Sequence, residues 1–179
     1  MIGRATARGE EMRNVISIRV QNVPGVLSHV AGLLAARGYN VDSLTVGATE
    51  DPTISRMTIV LDVAKDMADQ VCSQLQKLVT VVETKNLSYV PRVERELALI
   101  CVATPKGTRS EVVELTNIFR AGIVDVGIDS VMIEISGSGD KLDAFIKALR
   151  PYRILSMTRS GCIASARPQD SAVEVEDKK

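Results

Sequence analysis

Aromatic side chains make up only 3% of the 179 residues, and tryptophan is absent altogether. That argues against the stacking platforms on which bases and sugars are held. A surplus of either charge is missing too, with 22 Lys and Arg against 22 Asp and Glu. Without a basic excess to neutralise phosphates, nucleic acid is not an expected partner. The same balance leaves little long-range repulsion to oppose self-association. Cysteine is scarce: Cys72, Cys101 and Cys162 are odd in number and show no CxxC spacing. This points away from a disulfide framework or a zinc site and towards a reducing cytoplasm. Cys72 and Cys101 read as small core residues. No apolar run approaches the eighteen or so residues that a membrane-spanning helix needs, so no membrane is expected. Residues 1–12 are polar, lack the apolar heart of a signal peptide, and read as a disordered extension. The one histidine, His29, follows Ser28 directly, and adjacent helix positions point about 100° apart, which rules out a nucleophile–base pair. HExxH, GxSxG and Walker A patterns are also lacking. No catalytic residue, metal or cofactor is therefore expected in this chain.

What is present is a regular alternation of strand and helix patterns. Ile16, Ile18 and Val20 alternate with polar residues at the period of a half-buried strand. Asn22-Val23-Pro24-Gly25 breaks it, Pro24 suits the first turn of a helix, and Leu27, Val30, Ala31 and Leu34 follow at helical spacing up to Gly38. A second strand is expected over Val41–Val46 and, after the turn Glu50-Asp51-Pro52, a third carrying Met57, Ile59, Leu61 and Val63. Met67, Val71, Leu75 and Leu78 mark a second helix, and Val81–Val90 a weaker fourth strand. The order is βαββαβ, the ferredoxin-like plan, with both helices on one face of an antiparallel sheet.

Pro91 and the charged run Arg92–Glu96 interrupt the pattern, and the same order then starts again. Leu97–Val102 reads as a strand, Val112, Leu115, Thr116 and Phe119 as a helix face, and Ile123–Val126 and Val131–Ile135 as two short strands around Gly127. Leu142, Phe145, Ile146 and Leu149 mark a last helix, and Arg153–Arg159 a last strand. The fold class is thus α+β, two ferredoxin-like units without evident sequence repetition. The boundaries read as a first domain over 13–91, a second over 92–163 and a polar, acidic, flexible tail over 164–179.

Three glycine loops invite a chemical reading. Gly137-Ser138-Gly139-Asp140 resembles a dinucleotide loop superficially, but the position for a third glycine is Leu142 and the flanking strands are antiparallel. A helix start capped by Ser138 or Asp140 explains it better. Lys106-Gly107-Thr108 lacks the earlier glycine of a Walker A motif and reads as a strand-to-helix turn. Asn22-Val23-Pro24-Gly25-Val26-Leu27 differs in one respect. A helix N-terminus presents unpaired N–H groups and a positive dipole end to a carboxylate, and Gly25 lets a ligand come close to the backbone. A plain turn with a flexible glycine explains the same residues, and by themselves they read as that. Gly38-Tyr39-Asn40 alone reads likewise as a helix end running into a strand.

The wider pattern changes the weight of these loops. Asn22-Val23-Pro24-Gly25-Val26-Leu27 resembles the loop of ACT domains that receives amino-acid effectors. Arg37-Gly38-Tyr39-Asn40-Val41-Asp42-Ser43-Leu44-Thr45-Val46, followed by Asp51-Pro52-Thr53-Ile54-Ser55-Arg56-Met57-Thr58, is similar to the fingerprint of the small regulatory subunits of acetohydroxyacid synthase (acetolactate synthase). The stretches Val93–Leu97, Phe119–Val126 and Gly139–Phe145 agree, so the resemblance runs over about residues 13 to 167.

The resemblance implies a non-catalytic regulator with an N-terminal ACT domain for effector binding and dimerisation. Its implied partners are the large catalytic subunit, a second copy of itself, and valine or a related branched-chain amino acid. Thiamine diphosphate, Mg2+ and FAD are implied for the catalytic subunit and none for this chain. The catalytic subunit joins two 2-ketoacids with loss of carbon dioxide on the route to valine, leucine and isoleucine, and the small subunit activates it and confers feedback inhibition. Carried over by position, Asn22 hydrogen-bonds the ligand, the amides around Gly25, Val26 and Leu27 hold its carboxylate, and Asn40 and Val41 close the site from the partner domain. The alternatives weighed against this are an ACT-type amino-acid sensor serving a different enzyme, an enzyme in its own right, and a transcription factor. The last two lack, respectively, a catalytic constellation and a basic DNA-binding segment.

Overall fold

The computed structural model describes residues 12–168, so the extension expected over 1–12 lies outside the described residues except for Met12. The described chain forms two compact units, one reaching Val93 and resuming at Ala164, the other spanning Glu94–Ile163.

The first unit is built from β1 (Met12–Gln21), α1 (Val26–Ala36), β2 (Val41–Ala48), β3 (Ile54–Val63), α2 (Lys65–Leu75) and β4 (Val81–Asn86). Its sheet has the order β2-β3-β1-β4, with every neighbouring pair antiparallel. Alternation does the sorting. Ile16, Ile18 and Val20 of β1 and Met57, Ile59 and Leu61 of β3 turn to the helices and are almost fully buried. Each such side chain contributes about 1.5–3 kcal/mol on leaving water.

The buried stripe of α1 is Val26, Val30 and Leu34, whereas Leu27 is 47% exposed and Ala31 also faces outward. The 3.6-residue period allowed either register. The helix begins at Val26 with Gly25 as its cap, so Pro24 lies before the helix and not in its first turn. The sheet selects the stripe: Val26, Val30 and Leu34 join Ile18 and its neighbours in one core, with Leu33 packed against it part-exposed. Gly38 ends the helix as expected: at φ +71 it lets Tyr39 N–H reach back to the Leu34 carbonyl at 3.1 Å. On α2 the buried residues are Ala68, Val71 and Leu75, while Met67 is 37% exposed. The fourth strand stops at Asn86, short of Val90.

The second unit repeats the plan with β5 (Arg92–Ala103), α3 (Arg109–Ile118), β6 (Gly122–Val126), β7 (Ser130–Gly137), α4 (Gly139–Ala148) and β8 (Ile154–Arg159), in the strand order β6-β7-β5-β8. Ala98, Ile100, Val102, Ile133, Ile135, Leu142 and Phe145 form its core. Ser138 caps α4, its hydroxyl accepting from Lys141 N–H at 3.4 Å. Two expectations are corrected here. Arg92–Glu96 is not a break but the start of β5, because Arg92, Glu94 and Glu96 alternate onto its partly buried side, where Arg92 and Glu96 find partners. Arg92 Nη1 donates to the carbonyls of Leu87 and Ser88, and Arg159 clasps Glu96 through Nε at 2.6 Å and Nη2 at 2.9 Å. Ala164, expected to begin a flexible tail, lies in a further strand, β9 (Ile163–Ala166), which pairs with β5 and leaves Ala164 only 6% exposed. Small residues hid this strand, since Ala and Ser carry little β signal. Residues 169–179 of the expected tail lie outside the described residues.

Cys162 is the buried cysteine, at 4% exposure, while Cys72 and Cys101 are half-buried. Burial pushes the Cys72 thiol up to about 11, with Asp69 nearby acting in the same direction.

Candidate functional site

Strand β1 ends at Gln21, where one backbone and one side-chain hydrogen bond of Asn22 fix the loop before α1. Asn22 N–H donates to the Thr53 carbonyl at 2.7 Å, and Asn22 Nδ2 donates to the Pro52 carbonyl at 3.0 Å. The loop is therefore anchored on the β2–β3 turn. That turn is itself rigid: Asp51 Oδ1 accepts from Thr53 N–H at 2.8 Å and from Thr53 Oγ1 at 2.6 Å, and Thr49 Oγ1 donates to the carbonyls of Asp51 and Ile54. The Thr53 bonds stabilise the ionised carboxylate and hold Asp51 below the ordinary 3.8. In the sequence, Asp51, Pro52 and Thr53 show only a turn and a fingerprint. Their role as the platform under Asn22 needed the pairing of β1 with β3.

Gly25 caps α1 at φ +86, ψ −12, a left-handed conformation that residues with a Cβ resist. A Cβ built there meets nothing within 4 Å, so the approach to the backbone is open. No side chain caps the helix, and no acidic residue sits in its first turn. Among the described residues, neither the cap nor the first turn supplies an anion to the orphan N–H groups and the positive dipole end. Val26 is buried as the floor of this helix start, and Leu27 lies on its exposed side.

Asn40 is exposed just ahead of β2, and Val41 is the half-buried first residue of that strand. These two residues do not join the Asn22–Leu27 group within one chain. They follow the far end of α1, an eleven-residue helix that spans about 16 Å at 1.5 Å per residue. The β2–β3 turn that holds Asn22 stands at the opposite end of β2 from Val41, and those eight residues span about 26 Å. Strand β2 is an edge, paired only with β3 among the described residues. His29 and Ser28 are both exposed on α1. No cluster of three His, Cys, Asp or Glu side chains suited to a metal occurs among the described residues. No described helix is long and apolar enough to cross a membrane.

A βαββαβ unit whose first helix opens beside the β2–β3 turn is the architecture of an ACT domain, and residues 16–83 match the family model for the "AHAS small subunit-like ACT domain". Residues 95–168 match the model for the small subunit of acetolactate synthase. The chain belongs to the acetolactate synthase small-subunit family. It is 48% identical to a probable acetolactate synthase small subunit of Archaeoglobus fulgidus, over 87% of this chain and 98% of the relative. The acetolactate synthase small subunit of Aquifex aeolicus is 42% identical over 92% of this chain and 86% of its own. The crystal structure of the acetolactate synthase small subunit from Thermotoga maritima superposes with a TM-score of 0.82 at 38% identity, covering 87% of this chain and 98% of that one. As a small subunit, the chain has a catalytic subunit as its partner.

Proposed function

We propose that this chain is a non-catalytic regulator that activates the large catalytic subunit in the cytoplasm and imposes feedback inhibition by valine. Thiamine diphosphate, Mg2+ and FAD belong, in this reading, to the catalytic subunit. The observation that carries the reading is the uncapped, glycine-led N-terminus of α1, held beside a rigid turn. An amino-acid carboxylate satisfies the N–H groups of Val26 and Leu27 there. Asn22 spends one donor on Pro52, so its Oδ1 is the atom to accept from the ligand's ammonium group. The separation of Asn40 and Val41 from this end supports a homodimer in which each site takes Gly25 from one protomer and Asn40 from its partner. Pairing of β2 edges brings such ends together and covers an exposed edge at the same time.

Titration calorimetry of the purified chain with valine, leucine and isoleucine tests the ligand, and an acetolactate assay of the reconstituted complex tests the regulation. Saturable valine binding and a valine-sensitive complex are the expected results. Acetolactate formation from pyruvate by the isolated chain, supplied with all three cofactors, would refute the non-catalytic role.

A further inference from the structure

On the side of the first sheet away from its helices, β1 presents Val15, Ser17 and Arg19, the residues alternating with the core-facing Ile16, Ile18 and Val20. The register sets Arg19 directly opposite Arg56 of β3 on one side and opposite Glu83 of β4 on the other, and Ser17 opposite Lys85. These side chains, with Leu87, Ser165 and Ala166, line a cavity of about 250 Å³. Three cations against one carboxylate leave it an excess of two positive charges.

This arrangement is not balanced from within. Like charges directly opposite on antiparallel strands oppose the pairing. Glu83 reaches Arg19 only at 3.9 Å and keeps a side chain 54% exposed, which makes the ion pair a weak counterweight. Among the described residues, Arg19 Nε is buried with no hydrogen-bond partner, a state that structures rarely leave unexplained. Neither Arg56 nor Lys85 forms an ion pair among the described residues. Ser17, which also lines the cavity, is only 6% exposed.

We propose that this cavity is a binding site for a small oxyanion, a dianion of the phosphate or dicarboxylate kind, separate from the loop at Asn22–Leu27. Planar guanidinium forks supply paired donors to such oxygens, and an ammonium and hydroxyls complete the shell. The volume suits a ligand of a few heavy atoms and falls below that of sites for larger molecules. The anion relieves the Arg19–Arg56 repulsion and supplies the partner that Arg19 Nε lacks, so binding stabilises the fold.

Inorganic phosphate and succinate are the probes, titrated into the full chain by calorimetry and by thermal unfolding against sodium chloride of equal ionic strength. Saturable binding of at least one anion is expected, with a rise in Tm that chloride does not produce. Arg56→Gln is expected to weaken it at least tenfold and to abolish the Tm rise. Lys85→Gln, whose side chain is exposed, serves as the second variant if the first does not fold. No saturable binding of either anion overturns the proposal, and so does undiminished binding by a folded variant. Loss of assembly with the catalytic subunit in a variant of a chain that binds neither anion also overturns it, assigning the cavity to a partner's carboxylate. None of these outcomes bears on valine binding, which is read separately.

Discussion

Asn22 Nδ2 donates to the carbonyl of Pro52, thirty residues further along the chain, at 3.0 Å. With the Asn22 N–H to Thr53 bond at 2.7 Å, it ties the loop before α1 to the β2–β3 turn. The helix start is thus held in position by the protein itself, so the proposed ligand meets a loop already anchored.

Gly25→Asp is expected to leave the complex active and make it resistant to valine. The new carboxylate competes for the helix N–H groups and repels the ligand's own. Losing one or two charged hydrogen bonds costs about 1.5–3 kcal/mol each, which is roughly one to four orders of magnitude in affinity. The substitution also meets left-handed strain, since Gly25 sits at φ +86, at about 1 kcal/mol of stability. Gly25→Asn carries similar strain without the charge. Inhibition curves for the two variants separate the effects, and equal curves would show that charge plays no part.

Asn40→Ala is expected to weaken valine binding as well, although Asn40 stands about 16 Å along α1 from Gly25. In the proposed homodimer each site draws on both protomers, so mixing Gly25→Asp chains with Asn40→Ala chains regenerates one intact site per heterodimer. Calorimetry of the mixture should recover tight sites up to about a quarter of the wild-type number, the statistical share when exchange is random. Light scattering showing a monomer, or a mixture with no tight sites, contradicts the shared-site reading.

Asp51 is held below 3.8 by the hydroxyl of Thr53 first and its N–H second. Its folded value therefore lies under its unfolded value. Its contribution to stability is present in full above the unfolded value and is lost as pH falls through the folded one. Followed by NMR, the Thr53 amide resonance should titrate with a midpoint below 3.8, the ordinary value. Asp51→Ala should release the turn and weaken valine binding several-fold, and Asp51→Asn, which keeps the acceptor oxygen, should weaken it less.

Cys72 should resist alkylation. Its thiol is raised from 9.0 to about 11 by burial, so at pH 8 the thiolate fraction falls roughly a hundredfold. Iodoacetamide labelling read by mass spectrometry should mark Cys72 far more slowly in the folded chain than in urea. Equal rates in the two states would show that the site is open to solvent.

Much of the fold was legible in the sequence because its strands alternate and its helices keep their period. Ile16, Ile18 and Val20, and likewise Val71 and Leu75, declared their faces through side-chain chemistry alone. Gly25 and Gly38 stood out because few residues other than glycine occupy a left-handed position cheaply. Charged strands were harder to read: Arg92–Glu96 looked like a break because the partners that match it, Leu87, Ser88 and Arg159, are supplied by other segments. Periodicity also put Leu27 and Ala31 on the inner face of α1, whereas the sheet below selected Val26. What only the tertiary structure decided is which distant residues stand together. Strand pairing set Asn22 on Pro52, faced Arg19 with Arg56 and put Asn40 at the far end of α1 from Gly25. Local sequence carries no record of register between strands, because register is chosen by the combined burial of every side chain on the shared face.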